Sequence, residues 1–373
     1  MRIVFSTDQV YLHGGIEKVM AEKANYFVDV LGYEVIILTT EQKRNQACYP
    51  LSSKIKFIDL DINYHRNKSY FSSANIVKLP IHFFRLRKVL KEIKPNIVIV
   101  CNYAFDYFLM PFLFNSAEKW KEFHSSRYFQ FQIRINTTSL LKKRFNKFND
   151  WIESKYDKII LLNPDEIPFY SSKNCFVIPN PITVSDELVA NLTNTKVLAA
   201  GRIAPVKGFD RLIKAWKLVV DSYPTWELHI FGDDYLNTKH QLELLIKENN
   251  LESNVIFKGT TDNMQLKMLD YSLYLMTSNT ECFPMVLLEA LSVGLPVVSF
   301  DCPTGPKNIV SNQIDGILVP NNEINKFASS VCDLIANDEY RFQFGRQAKL
   351  NSLRFSTPLV MSKWNEIIVK AEL

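Results

Sequence analysis

The stretch that decides the fold is Glu281-Cys282-Phe283-Pro284-Met285-Val286-Leu287-Leu288-Glu289-Ala290. Two carboxylates, Glu281 and Glu289, bracket a proline and an otherwise apolar run. Upstream, Leu273 to Thr277 reads as a strand. Downstream, Ser292-Val293-Gly294 stops the apolar run before a second strand from Pro296 to Phe300. The order is strand, turn, helix, strand. Pro284 suits the first helical turn, where its missing N–H is no loss. Glu281 then sits on the turn at the carboxyl end of the strand, the edge where open parallel sheets bind ligands. Free amides at the helix start favour an anionic group, and two carboxylates suit polyol hydroxyls. Taken alone, both glutamates are equally ordinary polar positions.

The alternation extends in both directions. Lys196–Ala200, Trp226–Phe231, Asn254–Lys258 and Ile317–Val319 read as further strands, separated by helices at Phe209–Asp221, Lys239–Asn249 and Met264–Leu269. The first half repeats the theme: strands at Arg2–Ser6, Glu34–Thr39, Asn96–Cys101, Lys121–His124 and Lys158–Leu162, with helices at Glu17–Leu31 and Ile76–Ile93. Strands alternating with helices predict an α/β, doubly wound parallel sheet, and two such series predict two Rossmann-like domains. The length of 373 residues fits that division. Pro-Asn-Pro and polar residues between Pro179 and Asn194 mark the hinge. This gives an N-terminal domain over 1–180 and a C-terminal domain over 181–357, with a last helix, Pro358 to Glu372 within 358–373, packing back on the first domain.

Composition excludes several classes. Forty-four Lys and Arg against 39 Asp and Glu leave a formal charge of +5, too mild for a nucleic-acid partner. Six cysteines stand without a C-x-x-C pair, several inside apolar runs, which indicates reduced thiols and no zinc cluster. No signal-peptide pattern opens the chain, and no uncharged apolar run reaches the roughly 18 residues of a spanning helix. A cytoplasmic protein is expected. From Trp120 to Phe148, seven Lys and Arg side chains interleave with aromatic ones. That pattern suits peripheral contact with an anionic membrane or a lipid-diphosphate acceptor; a solvated helix with one apolar face is the plainer reading.

Three further clusters carry chemistry. Gly201-Arg202-Ile203-Ala204-Pro205-Val206-Lys207-Gly208 follows a strand and opens a helix. Gly201 allows close backbone approach, while Arg202 and Lys207 bring two fixed positive charges suited to a diphosphate. The spacing is not that of a Walker loop. His13-Gly14-Gly15-Ile16-Glu17 joins the first strand to the first helix, and Gly15 there lets a bound group approach. His124, at the end of a first-domain strand, is suited to hydrogen-bond a sugar hydroxyl. Each also reads as an ordinary turn or loop when taken singly.

In combination the chain resembles the retaining glycosyltransferases of family four, which have the GT-B fold. The resemblance rests on Gly-Arg-x(4)-Lys-Gly at Gly201–Gly208, Phe257-Lys258-Gly259, Ser278-Asn279-Thr280-Glu281-Cys282-Phe283-Pro284 running to Glu289-Ala290, Gly294-Leu295-Pro296-Val297-Val298, and Asp315-Gly316-Ile317-Leu318-Val319. In the first half it rests only on Gly14-Gly15-Ile16-Glu17, the strand after Pro95, and His124. It implies that Arg202 and Lys207 hold the donor diphosphate and Glu289 the ribose. It implies that Glu281 contacts the transferred sugar, helped by backbone amides around Phe283 to Met285, the turn that Pro284 shapes. Gly15 and Gly201 give close approach, and His124 contacts the sugar. The implied reaction moves a hexose or N-acetylhexosamine from a nucleotide-diphospho-sugar, UDP being the expected base, to a hydroxyl of a glycan or lipid-linked oligosaccharide in surface polysaccharide synthesis. It needs no cofactor and no metal. Asn308 departs from the pattern, standing where the family often has a glutamate. A nucleotide-sugar epimerase, a phosphorylase and an inactive sugar-nucleotide-binding protein are the competing readings.

Overall fold

In a computed structural model of the chain, residues 1–371 are described; the expected helix end at Glu372 lies outside them. The chain divides into two compact units, one of residues 1–124, 130–181 and those from Met361 onward, the other of 125–129 and 182–360.

The first unit is built on seven parallel strands: β1 (Arg2–Thr7), β2 (Glu34–Thr39), β3 (Lys56–Asp59), β4 (Ile97–Val100), β5 (Glu118–Glu122), β6 (Lys158–Leu161) and β7 (Cys175–Val177), in the order 3-2-1-4-5-6-7. Both faces are covered, so β1, β2 and β4 are apolar runs buried almost throughout. β1 registers Arg2 on Glu34 and Ile3 on Ile97. Trp364, from the final helix Thr357–Val369, lies 6.1 Å from Trp120 and 6.2 Å from Phe27, ring centre to ring centre.

Two sequence expectations need correction here. The strand expected at Lys121–His124 runs instead from Glu118 to Glu122, leaving His124 two residues beyond its end. Glu-Lys-Trp-Lys-Glu looks too polar for a buried strand, yet the ammonium of Lys119 donates to the carbonyls of Phe114 and Ala117, and that of Lys121 to those of Val100 and Glu122. Buried charges satisfied in this way are tolerated. The helix expected from Ile76 to Ile93 is broken into Ser73–Ile76 and Leu79–Ile93, because Pro80 lacks the N–H a continuous helix requires and suits a new first turn. The short edge strands β3 and β7 have no sequence-stretch of their own in the expectation; both are too brief for periodicity to register.

The second unit carries six parallel strands: β8 (Lys196–Ala200), β9 (Glu227–Phe231), β10 (Val255–Gly259), β11 (Leu273–Met276), β12 (Val297–Asp301) and β13 (Gly316–Pro320), in the order 10-9-8-11-12-13. Helix Phe209–Ser222 shows how sequence sets the packing. Gly208, at φ 63°, opens it, and Phe209, Leu212, Ile213, Trp216 and Val219 recur at helical spacing on the buried face. That stripe joins Leu228, Leu273, Leu275 and Val298 in one core. Each such fully buried side chain contributes about 1.5–3 kcal/mol. Helices Ile324–Ala336 and Asp338–Ser352, not anticipated from the sequence, complete the outer layer.

Candidate active site

In the second sheet, β8 and β11 are neighbours, and the chain leaves them toward opposite edges. Loops beyond such a pair diverge and leave a crevice at the carboxyl ends of the strands. The Gly201–Gly208 and Ser278–Pro284 segments are these two loops.

The first loop is shaped by glycine. Gly201 has φ +150°, and a Cβ there would lie 3.2 Å from Cε of Lys207, so the lysine stem lies against the bare backbone. Pro205–Lys207 makes a single tight turn. Gly208 then passes so close to the end of β11 that a Cβ would lie 2.2 Å from the Thr277 carbonyl oxygen. Hydrogen bonds lace the loops together: Thr277 Oγ1 donates to the Gly208 carbonyl at 2.9 Å, Asn279 N to Val206 O at 2.8 Å, and Asn279 Nδ2 to Pro205 O at 2.9 Å.

The consequence is a direct contact between sequence-distant residues. Lys207 Nζ donates to Glu281 Oε1 at 2.6 Å, and Ser278 Oγ donates to the same oxygen at 2.7 Å. The backbone of Glu281 is held from the other side, N donating to Pro303 O at 2.9 Å and O accepting from Thr304 N at 2.8 Å. Pro284 is the residue that caps helix Met285–Ser292, one position earlier than the first-turn assignment made from sequence. It keeps an extended backbone (ψ 112°) and so lies outside the helical turn. A Cβ on Gly305 would lie 2.8 Å from Pro284 Cδ, which locates the next loop directly against this turn.

Glu289, in the same helix, is buried. Burial pushes the Tyr274 phenol far above its ordinary value, and the negative charges of Glu281 and Glu289 push it further. Burial likewise pushes the Cys302 thiol up to about 12, with Glu281 and Asp301 adding to it and Lys207 and Arg211 opposing. Phe283 is buried against Phe355, so what it offers a ligand is backbone. Arg202 is exposed, its guanidinium 5.3 Å from the ring centre of Tyr235.

The remaining two site residues belong to the first unit. Gly15 is the exposed first residue of helix Gly15–Asp29, with Gly14 extended before it. His124 has a side chain 6% exposed, beside Glu122.

Sequence reading passed over several participants. Tyr235 beneath Arg202 gave no signal. Nor did Arg211, which donates to the Thr277 carbonyl and to Asn321 and Asn322. Lys23, which ion-pairs with Glu122, did leave a trace: a charge midway between Val19 and Phe27 on the buried face of its helix.

Residues 183–351 match the family of glycosyl transferases group 1. Over 364 residues the chain is 28% identical to an uncharacterized glycosyltransferase of Haemophilus influenzae, covering 95% of this chain and 96% of that one. It is 28% identical over 338 residues to the poly(ribitol-phosphate) alpha-N-acetylglucosaminyltransferase of Staphylococcus aureus, covering 86% of this chain and 66% of that one. Among solved structures, S. aureus TarM, crystallised with fondaparinux, alpha-GlcNAc-glycerol and UDP, superposes with a TM-score of 0.79 at 19% identity, over 98% of this chain and 99% of that one.

Proposed function

The chain belongs to the group 1 glycosyltransferases, with the GT-B fold, and from that premise we propose that it transfers a hexose or N-acetylhexosamine from a UDP-sugar, with retention of configuration, to a hydroxyl of a growing surface glycan. The observation that carries this reading is the Lys207–Glu281 contact at the crevice of the second sheet, between the loop that also carries Arg202 and the turn that leads into the helix of Glu289.

Bond cleavage at the anomeric carbon shifts negative charge onto the departing diphosphate. Lys207, Arg202 and the first amides of helix Met285–Ser292 attract that charge more strongly in the transition state than in the bound donor, which lowers the barrier. No metal is required for this charge balance. Glu281 already receives hydrogen bonds from Lys207 and Ser278 on one oxygen. A carboxylate so engaged is a poor nucleophile and a good anchor, and its role is to orient a sugar hydroxyl. The acceptor proton then passes to the departing phosphate on the same face, an arrangement that retains configuration. Glu289 takes the ribose, and Gly15 and His124 serve the diphosphate and the sugar. The S. aureus relative and the UDP in the TarM crystal support UDP-N-acetylglucosamine among donors and a polyol-phosphate glycan among acceptors.

Peripheral binding to an anionic membrane is part of the same proposal. Helix Leu140–Glu153 exposes Leu140, Leu141, Phe145, Phe148 and Trp151, interleaved with Lys142, Lys143, Arg144 and Lys147. Apolar anchors with cations between them complement anionic headgroups.

A thermal-shift panel of UDP-, GDP- and ADP-sugars tests the donor, because a ligand bound only by the folded state raises Tm. NMR of the product's anomeric proton tests retention. Stabilisation by GDP-sugars alone, or an inverted product, overturns the corresponding half of the proposal.

A further inference from the structure

Beside His124 lies a charged cluster that sugar transfer does not itself call for. Lys23 is on the inner face of helix Gly15–Asp29, and its side chain is 1% exposed. Its Nζ donates to both oxygens of Glu122, the last residue of β5, whose side chain is equally buried. The Trp364 ring centre lies 4.7 Å from the ammonium and that of Phe5 5.7 Å. On its other side, Glu122 Oε2 faces His124 Nε2 at 3.5 Å. Nε2 is buried and makes no hydrogen bond among the described residues. Cys101 Sγ, 3.9 Å from Glu122 Oε2, and Lys121 complete the surroundings.

Stability does not demand such a pair, since desolvating two ions offsets most of their attraction and an apolar pair of similar volume often serves as well. The geometry instead bears on the imidazole. Burial by itself would raise the Glu122 carboxyl, but the Lys23 ammonium beside it outweighs that and holds the group ionised, well below the ordinary carboxylate range. Burial, reinforced by Lys23 and Lys121 and opposed by Glu122, holds His124 below its ordinary value, so the ring is neutral at pH 7. A neutral ring has one proton to place. A lone pair on Nε2 would confront the lone pairs of the carboxylate; a proton there is attracted to them.

We infer that the Lys23–Glu122 pair is a positioning device for His124, holding the ring as its Nε2–H tautomer so that Nδ1 accepts a hydrogen bond from a hydroxyl of the transferred sugar. The inference rests on the assignment of His124 to the sugar. Glu122 and Lys23 act through the histidine and touch no substrate. Donor atoms of Cys101, Glu122 and His124 also lie within 4.8 Å of one another, as in a metal site. Lys23 occupies both carboxylate oxygens, however, and burial with Glu122 pushes the Cys101 thiol up to about 12, so the set suits an imidazole far better than a cation.

The test uses the full chain with its six histidines labelled with 15N. His124→Gln identifies the His124 resonances by their disappearance. The expected wild-type signal at pH 7 is a neutral Nε2–H ring. In Glu122→Gln the expected signal moves toward the Nδ1–H form, and kcat/KM for donor falls at least tenfold. Because Glu122→Gln leaves the Lys23 charge buried alone, the neutral pair Lys23→Met with Glu122→Gln is measured beside it and is expected to show the same tautomer change. In the His124→Gln background, Glu122→Gln is expected to cause no further loss. An unchanged tautomer in the folded neutral pair overturns the inference, as does a Glu122→Gln loss that adds in full to that of His124→Gln. Wild-type turnover in His124→Gln would instead overturn the assignment of His124 to the sugar, while the tautomer signal still reports on the pair.

Discussion

Lys207 and Glu281, 74 positions apart in the chain, meet at 2.6 Å where the loops after β8 and β11 converge. The pair is partly shielded, with side chains 23% and 13% exposed, so its value lies in fixing two functional groups against each other more than in stability.

Removing either cation is expected to cut turnover. Lys207→Ala and Arg202→Ala should each lower kcat by about 10²–10³, the usual cost of one lost charge-stabilising group. Lys207→Ala also removes a hydrogen bond that holds Glu281, so its KM for donor should rise, whereas Arg202, held against Tyr235, should affect kcat more than KM. Steady-state kinetics of UDP release check both, and wild-type kcat in either variant removes that residue from the mechanism.

Metal chelation is expected to leave activity intact, because in the proposed mechanism Arg202 and Lys207 supply the positive charge opposite the leaving group. Assays in EDTA, with and without added Mg²⁺ or Mn²⁺, measure this. Loss of activity restored by a divalent ion would contradict it.

Gly232→Ala should destabilise the second unit by about 2 kcal/mol or more. Its φ is +150°, and a Cβ would lie 2.0 Å from the Gly201 carbonyl oxygen, so both backbone strain and displacement of the Gly201 loop follow. Gly259→Ala, at φ +72° with nothing within 4 Å of its Cβ, should cost only about 1–2 kcal/mol. Thermal melts give the ranking, and donor affinity should fall only for Gly232→Ala.

Lys121 provides a pH signature. Burial lowers it from 10.5 to about 8, partly opposed by Cys101 and Glu122. The unfolded chain therefore holds more protons than the folded one between about pH 8 and 10.5, and in that window stability rises with pH through this group. Lys121→Met lacks the effect. The Tm difference between wild type and Lys121→Met should shift in favour of wild type as pH rises from 7 to 10; a flat difference would show that the ammonium is not desolvated.

Membrane binding should follow helix Leu140–Glu153. Vesicles containing about one-third anionic lipid should sediment the protein at low salt, and zwitterionic vesicles should not. Replacing Leu141 and Phe145 by Ser, or Lys142, Lys143 and Arg144 by Gln, should each reduce binding at least fivefold. Equal binding by wild type and both variants would detach this helix from the membrane role.

Much of this was legible in the residues themselves. Apolar runs such as Ile97–Val100 and Leu273–Met276 announce buried parallel strands, since neither face can tolerate a charge without a partner. Gly201, Lys207, Gly208 and Glu281 announce the loops beyond them. Local chemistry was enough because each of those features depends on near neighbours in the chain. The strand Glu118–Glu122 was misread because Lys121 reaches the Val100 carbonyl and Glu122 reaches Lys23, partners far away in sequence.

Sequence alone thus determined the fold class, the two parallel sheets and the position of the Gly201–Gly208 loop after its strand, all products of short-range periodicity and glycine geometry. Only tertiary structure decided that Lys207 grips Glu281, that Arg202 rests on Tyr235, and that Lys23 reaches Glu122 beside His124. Those pairings depend on strand order, and strand order is set by the packing of helices on both faces of each sheet, which no local run of residues encodes.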